Sequence, residues 1–191
     1  MARTPSTQRL PLGSPAPEFK LPDADGKIWA SREISGGQPM VVVFACNHCP
    51  YVIHVSNQLG QLSAEYLKKG VAFVAINSND VTQYPDDSPA KMPAFAKGAG
   101  WNFPYLVDQS QEVAHAWHAA CTPDFFLLDR SGNLVYAGQF DSTRPKSDQV
   151  ATGQDLKAAM DAVLAHQPVP SPQVPSLGCN IKWKPGNEPK L

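Results

Sequence analysis

Apolar residues recur along this chain with two different spacings. Residues 40–44, MVVVF, and 71–76, VAFVAI, are unbroken, uncharged runs rich in β-branched side chains, as expected of strands buried on both faces. Between them Val52, Val55, Leu59, Leu62 and Tyr66 repeat at helical spacing, ending at Lys68-Lys69-Gly70, a basic last turn followed by a glycine stop. Residues 19–29 predict two short strands around an Asp-Gly turn, and 77–88 read as a polar loop. The pattern then predicts a helix over 89–99, a short strand over 104–107 and a short helix over 111–119. Residues 125–128 and 134–137 flank Asp129-Arg-Ser-Gly-Asn133, a hairpin signal, and Leu156, Ala159, Met160, Val163 and Leu164 give the last helix one apolar face. Strand–helix–strand followed by hairpin–helix makes an α/β sandwich around a mixed sheet.

A chain of 191 residues suits one folded domain. Residues 1–16, with Pro5, Pro11 and Pro15, read as a flexible N-terminal arm, and 17–166 as the domain itself. Residues 167–191 carry six prolines yet also Leu177, Cys179, Ile181 and Trp183, so this tail is expected to lie packed along the domain. Sixteen basic against seventeen acidic side chains leave no surplus positive charge for phosphates, which argues against nucleic acid as a partner. The longest apolar run, 40–46, is too short to span a bilayer. The N-terminal stretch lacks the apolar segment of a secretory signal, so a cytoplasmic location is expected. Four cysteines are too few for a disulfide framework, and in a reducing compartment they point to redox or metal chemistry.

Cys46-Asn47-His48-Cys49 sits between the first buried run and the first helix, the junction where α/β sheets gather their chemistry. Pro50 suits the first helical turn, where a missing N–H costs nothing, with Asn47 as the expected N-cap. Both sulfurs then lie at the positive end of the helix, which lowers a thiol pKa from about 8.5 toward about 3.5–7.5. Two thiols at this spacing can form a mixed disulfide and close an internal one, a dithiol switch. His48 between them would add a cation beside the thiolate. Zinc held by cysteine alone needs a second close pair, and Cys121 and Cys179 stand apart.

These residues carry a resemblance to the thioredoxin-fold superfamily, and within it to a peroxiredoxin-like branch of the alkyl hydroperoxide reductase/thiol-specific antioxidant (redoxin) group. The matching stretches are Gly13-Ser-Pro-Ala-Pro-Glu-Phe19, Phe44-Ala-Cys-Asn-His-Cys-Pro-Tyr-Val52, Asn79-Asp80 with Tyr84-Pro-Asp-Asp-Ser88, Cys121-Thr-Pro-Asp-Phe-Phe126 and Gly178-Cys-Asn-Ile-Lys-Trp-Lys184. The resemblance implies a three-layer sandwich and a cis proline at Thr122-Pro123 facing the cysteine pair. It implies a thiol–disulfide oxidoreductase with Cys46 and Cys49 catalytic, and with Asn47, His48, Thr122, Pro123 and Cys121 as candidate supporting groups. Cys179 is a candidate additional thiol. No bound cofactor is implied; thioredoxin or a low-molecular-weight thiol would supply electrons, and a disulfide or peroxide would take them.

Peroxiredoxins carry Pro-x-x-x-Thr/Ser-x-x-Cys and a distant arginine. Aligned on Cys49, this chain has Val42 and Cys46 at the proline and hydroxyl positions, and no arginine near Thr122-Pro123. Without those donors, weak peroxidase activity at most is expected, whereas thiol–disulfide exchange needs only an activated thiolate and a neighbour. The thioredoxin comparison nominates Cys46, exposed at the helix tip, as first attacker, and the peroxiredoxin comparison nominates Cys49. Two alternatives stand beside this reading: a copper or zinc carrier using Cys46, Cys49 and a nearby histidine or Cys121, and a redox-inactive binding module on the same fold. His115 and His118, three apart, read first as surface or half-buried residues. Asn77, Asn79, Asp80, Asp141 and Arg144 follow strand ends and are weaker candidates for the rim of the site.

Overall fold

The computed structural model describes residues 3–189. Its first elements are β1 (Arg3–Pro5), the hairpin β2 (Lys20–Pro22) and β3 (Ile28–Ala30), and the five-residue helix α1 (Ser31–Ser35). Then come β4 (Met40–Phe44), α2 (Pro50–Lys68), β5 (Ala72–Asn77), α3 (Met92–Gly98), β6 (Tyr105–Val107) and α4 (Glu112–Ala116). The rest are β7 (Cys121–Thr122), β8 (Asp124–Leu128), β9 (Leu134–Gly138), α5 (Gln154–Leu164) and β10 (Leu177–Asn180). Two single 3₁₀ turns, Pro85–Asp87 and Pro89–Lys91, lead into α3.

The central sheet runs β6-β5-β4-β8-β9. Its first three strands are parallel, and β8 and β9 are antiparallel. Side chains alternate across it, as the pleat requires. Val41 and Val43 face a core shared with Val52, Val55, Leu59 and Tyr66 of α2 and with Leu156 and Met160 of α5. Met40, Val42 and Phe44 face the other layer, with Phe19, Leu21, Ala114 and Trp117. The three layers place the C-terminal end of β4 and the start of α2 at one rim of the sheet. No helix among the described residues is long and apolar enough to cross a membrane.

A second sheet of three strands, β1-β10-β7, is antiparallel throughout. It pairs Arg3 with Cys179 and Cys179 with Thr122, and so ties both ends of the described chain to the segment before Pro123. The N-terminal arm, expected to be flexible, is therefore ordered from Arg3 on. Its backbone finds partners 174 residues away in the tail, and Ser6 N donates to Ser176 O at 2.8 Å. Gly178 makes the pairing with β7 possible, because a Cβ there would lie 2.0 Å from Thr122 O. The Thr122–Pro123 bond is cis, as the resemblance implied.

Candidate active site

Cys49 is the N-cap of α2 and Pro50 its first helical residue. The expected cap, Asn47, lies two residues upstream and is tied to other elements. Its backbone N–H donates to Asp87 Oδ1 at 2.8 Å, its amide to Asp86 O, and its Oδ1 accepts from Tyr105 OH. The bend Cys46-Asn47-His48 is thus held by the 3₁₀ turn Pro85–Asp87, so the helix starts later than the Asn signal suggests.

Asp87 organises this bend. Fully buried, it accepts the His48 N–H at 3.2 Å and bonds His48 Nδ1 through Oδ2 at 2.6 Å. Asn79 Nδ2 donates to the same Oδ2 at 2.8 Å, and Asn77 Nδ2 donates to the Asp87 carbonyl at 2.7 Å. The His48 ring stacks on Tyr84 with centroids 5.6 Å apart, and Lys182 Nζ lies over the far ring at 5.6 Å.

Both sulfurs are buried, Cys46 being 1% and Cys49 0% exposed. The expectation that Cys46 stands exposed at the helix tip is corrected. The tail strand β10 and the His48–Tyr84 stack close over a tip that strand-and-helix reasoning alone leaves open. Cys46 Sγ lies 3.6 Å from Thr122 Oγ1 and 3.9 Å from His48 Nδ1, and Cys49 Sγ donates to Thr122 O at 3.1 Å. The two thiols also hydrogen-bond each other. That bond holds Cys46 well above the ordinary thiol value, with burial and the Asp87 charge adding to the rise. The same bond draws Cys49 down to about 5 against its burial, helped by a hydrogen bond with Cys179. As a unit, the pair gives up one proton easily and a second reluctantly. Which sulfur attacks first stays a property of the pair, because Thr122 Oγ1 can donate to a Cys46 thiolate while Thr122 O can only accept from a Cys49 thiol.

The structure gathers Cys46, Asn47, His48, Cys49, Thr122, Pro123, Cys121 and Cys179 around one point. Cys121 is fully buried, its Sγ is 3.6 Å from Pro123 O, and burial lifts its pKa well above the ordinary thiol value. Cys179 touches Cys49, and burial and that contact push it up to about 12. His115 lies elsewhere, bonding Asn187 O at 2.6 Å and packing on Trp183. Asp141 and Arg144 belong to a separate cluster with Gln139 and Thr143. Sequence reasoning carried Tyr84-Pro-Asp-Asp-Ser88 only as part of the family resemblance and gave Asp87 and Tyr84 no role in the site, although an acidic pair behind a proline in the polar loop after β5 was a usable signal. The one cluster of potential metal ligands among the described residues is Cys46 Sγ, His48 and Asp87, all within 4.8 Å of one another.

The Redoxin family profile matches residues 11–154. A conserved protein of Geobacillus kaustophilus, solved by crystallography, is 48% identical, with 97% of this chain and 98% of that chain covered and a TM-score of 0.93. The thiol-disulfide oxidoreductase ResA of Bacillus anthracis is 23% identical over 130 residues, 67% of this chain and 69% of its own. A Mycobacterium tuberculosis protein with a provisional peroxiredoxin name is 29% identical over 143 residues, 69% of this chain and 86% of its own.

Proposed function

Given that the chain belongs to the Redoxin family, we propose that it is a peroxiredoxin-like thiol–disulfide oxidoreductase whose reacting groups are Cys46 and Cys49. The observation that carries this reading is the placement of two thiols at the start of α2, both against Thr122 beside the cis Pro123, an arrangement that draws Cys49 down to about 5. A thiolate is therefore present at neutral pH, and a second thiol lies within reach to resolve a mixed disulfide. Among the described residues, the partners of these two sulfurs are each other, His48, Thr122, Val52 N–H and Cys179, with no arginine. A hydroperoxide would find one hydroxyl near Cys46, so peroxidase activity is weak beside disulfide exchange. Treating the reduced protein with a disulfide oxidant tests the reading. The expected product has lost two hydrogens, maps to Cys46–Cys49, and is absent in Cys46→Ser and Cys49→Ser. A dithiol that stays reduced removes the assignment.

A second reading rests on the ligand cluster. Cys46, His48 and Asp87 offer S, N and O donors suited to zinc, and Cys46 with Cys49 would suit Cu(I). Stoichiometric uptake of either ion, protecting both thiols from alkylation and lost in Cys46→Ser, would support it; free alkylation in the presence of the metal would remove it.

A further inference from the structure

Strand β10 fills the sheet edge that runs past the dithiol. Its Cys179 and Asn180 pair with Thr122 and Cys121 of β7, and its outer edge is taken by β1. A polypeptide commonly docks by adding a strand to an open edge. Here that edge is already satisfied from within the chain, on both sides of β10.

The strap is fastened along its length. Ser176 Oγ donates to Gly138 O at 2.7 Å, Ile181 N to Ala120 O at 3.3 Å, and Lys182 N to Asn79 Oδ1 at 2.9 Å. Lys182 O accepts from Asp80 N at 2.7 Å and from Gln111 Nε2 at 3.0 Å. The arm adds its own clamp, with Arg3 Nε donating to Tyr51 OH at 3.2 Å on the first turn of α2. Displacing β10 therefore breaks a series of backbone and side-chain bonds together, a sub-global opening.

Elsewhere the rim is made of side chains: Asn47, His48 and Tyr84 are half-buried, and the His48 side chain, held through Nδ1 by Asp87, is 16% exposed. On this side Cys46 is covered by side chains, the His48 ring stacked on Tyr84, rather than by a hydrogen-bonded strand.

Resting on the exchange function proposed above, we infer that the dithiol acts on low-molecular-weight disulfides and is screened from polypeptide ones by β10. In the reaction, a thiolate of the pair attacks one sulfur of RSSR and releases RS⁻. The second thiol then attacks the first cysteine's sulfur, closing Cys46–Cys49 and releasing the other RS⁻. The two leaving thiolates take up the two protons that the cysteines gave up. The protein is oxidised by two electrons and RSSR becomes two RSH.

The test compares one bond in two settings: glutathione disulfide, and glutathione joined by a disulfide to an unfolded polypeptide. The readout is the rate of Cys46–Cys49 formation in the full chain. If β10 is lifted in about one molecule in a hundred, the polypeptide-borne disulfide reacts about a hundredfold more slowly. Gly178→Val, whose side chain collides with Thr122 O, should narrow that gap mainly by speeding the polypeptide reaction. A size series on the wild type serves even if this variant does not fold: iodoacetamide should label the pair in the native protein, and a polymer-linked maleimide only after denaturation. Equal rates with both disulfides, or equal labelling by small and bulky reagents, would overturn the screening and leave the exchange function standing. No reaction with either disulfide, the native thiols remaining unmodified, would overturn both.

Discussion

Asp87 Oδ2 lies 2.6 Å from His48 Nδ1, a contact between residues 39 apart in sequence. The same carboxylate accepts the backbone N–H groups of Asn47 and His48. One buried side chain thus fixes the backbone between the two cysteines and sets a negative charge beside Cys46. Its two effects oppose each other chemically: it orders the bend and it disfavours a Cys46 thiolate.

Asp87→Asn and Asp87→Ala separate those effects. Asn keeps an acceptor and removes the charge, so the ionisation of Cys46 should move to lower pH. Ala also strands the N–H groups of Asn47 and His48 and the amide of Asn79, and should destabilise the fold by about 3 kcal/mol. Alkylation rate against pH and urea unfolding measure the two. Matching pH profiles for wild type and Asp87→Asn would show that the charge does not act on the pair.

The low ionisation of Cys49 comes first from its hydrogen bond with Cys46. Cys46→Ala removes that bond while burial remains, so the titration of Cys49 should move up from about 5 toward the ordinary thiol range. At a fixed pH near 6, thiolate alkylation should then slow by about tenfold for each unit by which the titration rises beyond that pH. Thiolate absorbance against pH follows it directly. An unmoved midpoint would place the source of the acidity in the helix start rather than in the pair.

What the sequence displays and what it hides divide along contact distance. Met40–Phe44 and Pro50–Lys68 were legible because β-branched runs and the 52–55–59–62–66 spacing are local signals, and the cysteine pair falls between them. Arg3–Pro5, Cys121–Thr122 and Leu177–Asn180 gave no such signal. They are two to four residues long, proline-flanked, and hold together only by pairing with segments more than fifty residues away. Pro5 is tolerated in β1 because that strand is an edge. The closure of Cys46 and the contact of Cys179 with Cys49 both follow from those strands. The expected exposure of Cys46 was therefore reversed, for the same reason that the arm proved ordered. Asp87 was hidden for the same reason, since its partners Asn47 and His48 belong to another segment.

Gly60 sits on α2 where the helix crosses the end of α3. A Cβ there would lie 2.1 Å from Ala99 O, a backbone atom that cannot swing aside. Helix propensity alone favours alanine by up to about 1 kcal/mol, and overpacking against fixed backbone costs about 1–3 kcal/mol. The clash should win, so Gly60→Ala is expected to lower stability by about 1–2 kcal/mol. Urea unfolding at unchanged m-value measures it. A stabilised variant would mean that the α2–α3 contact is looser than drawn.

Asp124 anchors the two-ended strap from beneath. Its Oδ2 accepts from Ser6 Oγ at 3.1 Å in the arm and from Ala120 N at 3.3 Å, while its Oδ1 has no partner. Burial pushes its pKa up to about 7, against hydrogen bonds from Ala120 and Ser6 that favour the charge. In the unfolded chain the same group titrates near about 3.9. From about pH 4 to about pH 7 the folded protein therefore holds a proton that the unfolded chain lacks, and stability must fall as pH rises through that window. The contribution is complete below about pH 4, lost above about pH 7, and amounts to up to about 4 kcal/mol across three units. Asp124→Asn mimics the protonated form and has no such slope. The stability of this variant relative to wild type should rise from about pH 4 to about pH 7 and then level off, as read by urea unfolding at each pH. A difference that stays constant across the range would show that the buried carboxyl does not titrate there.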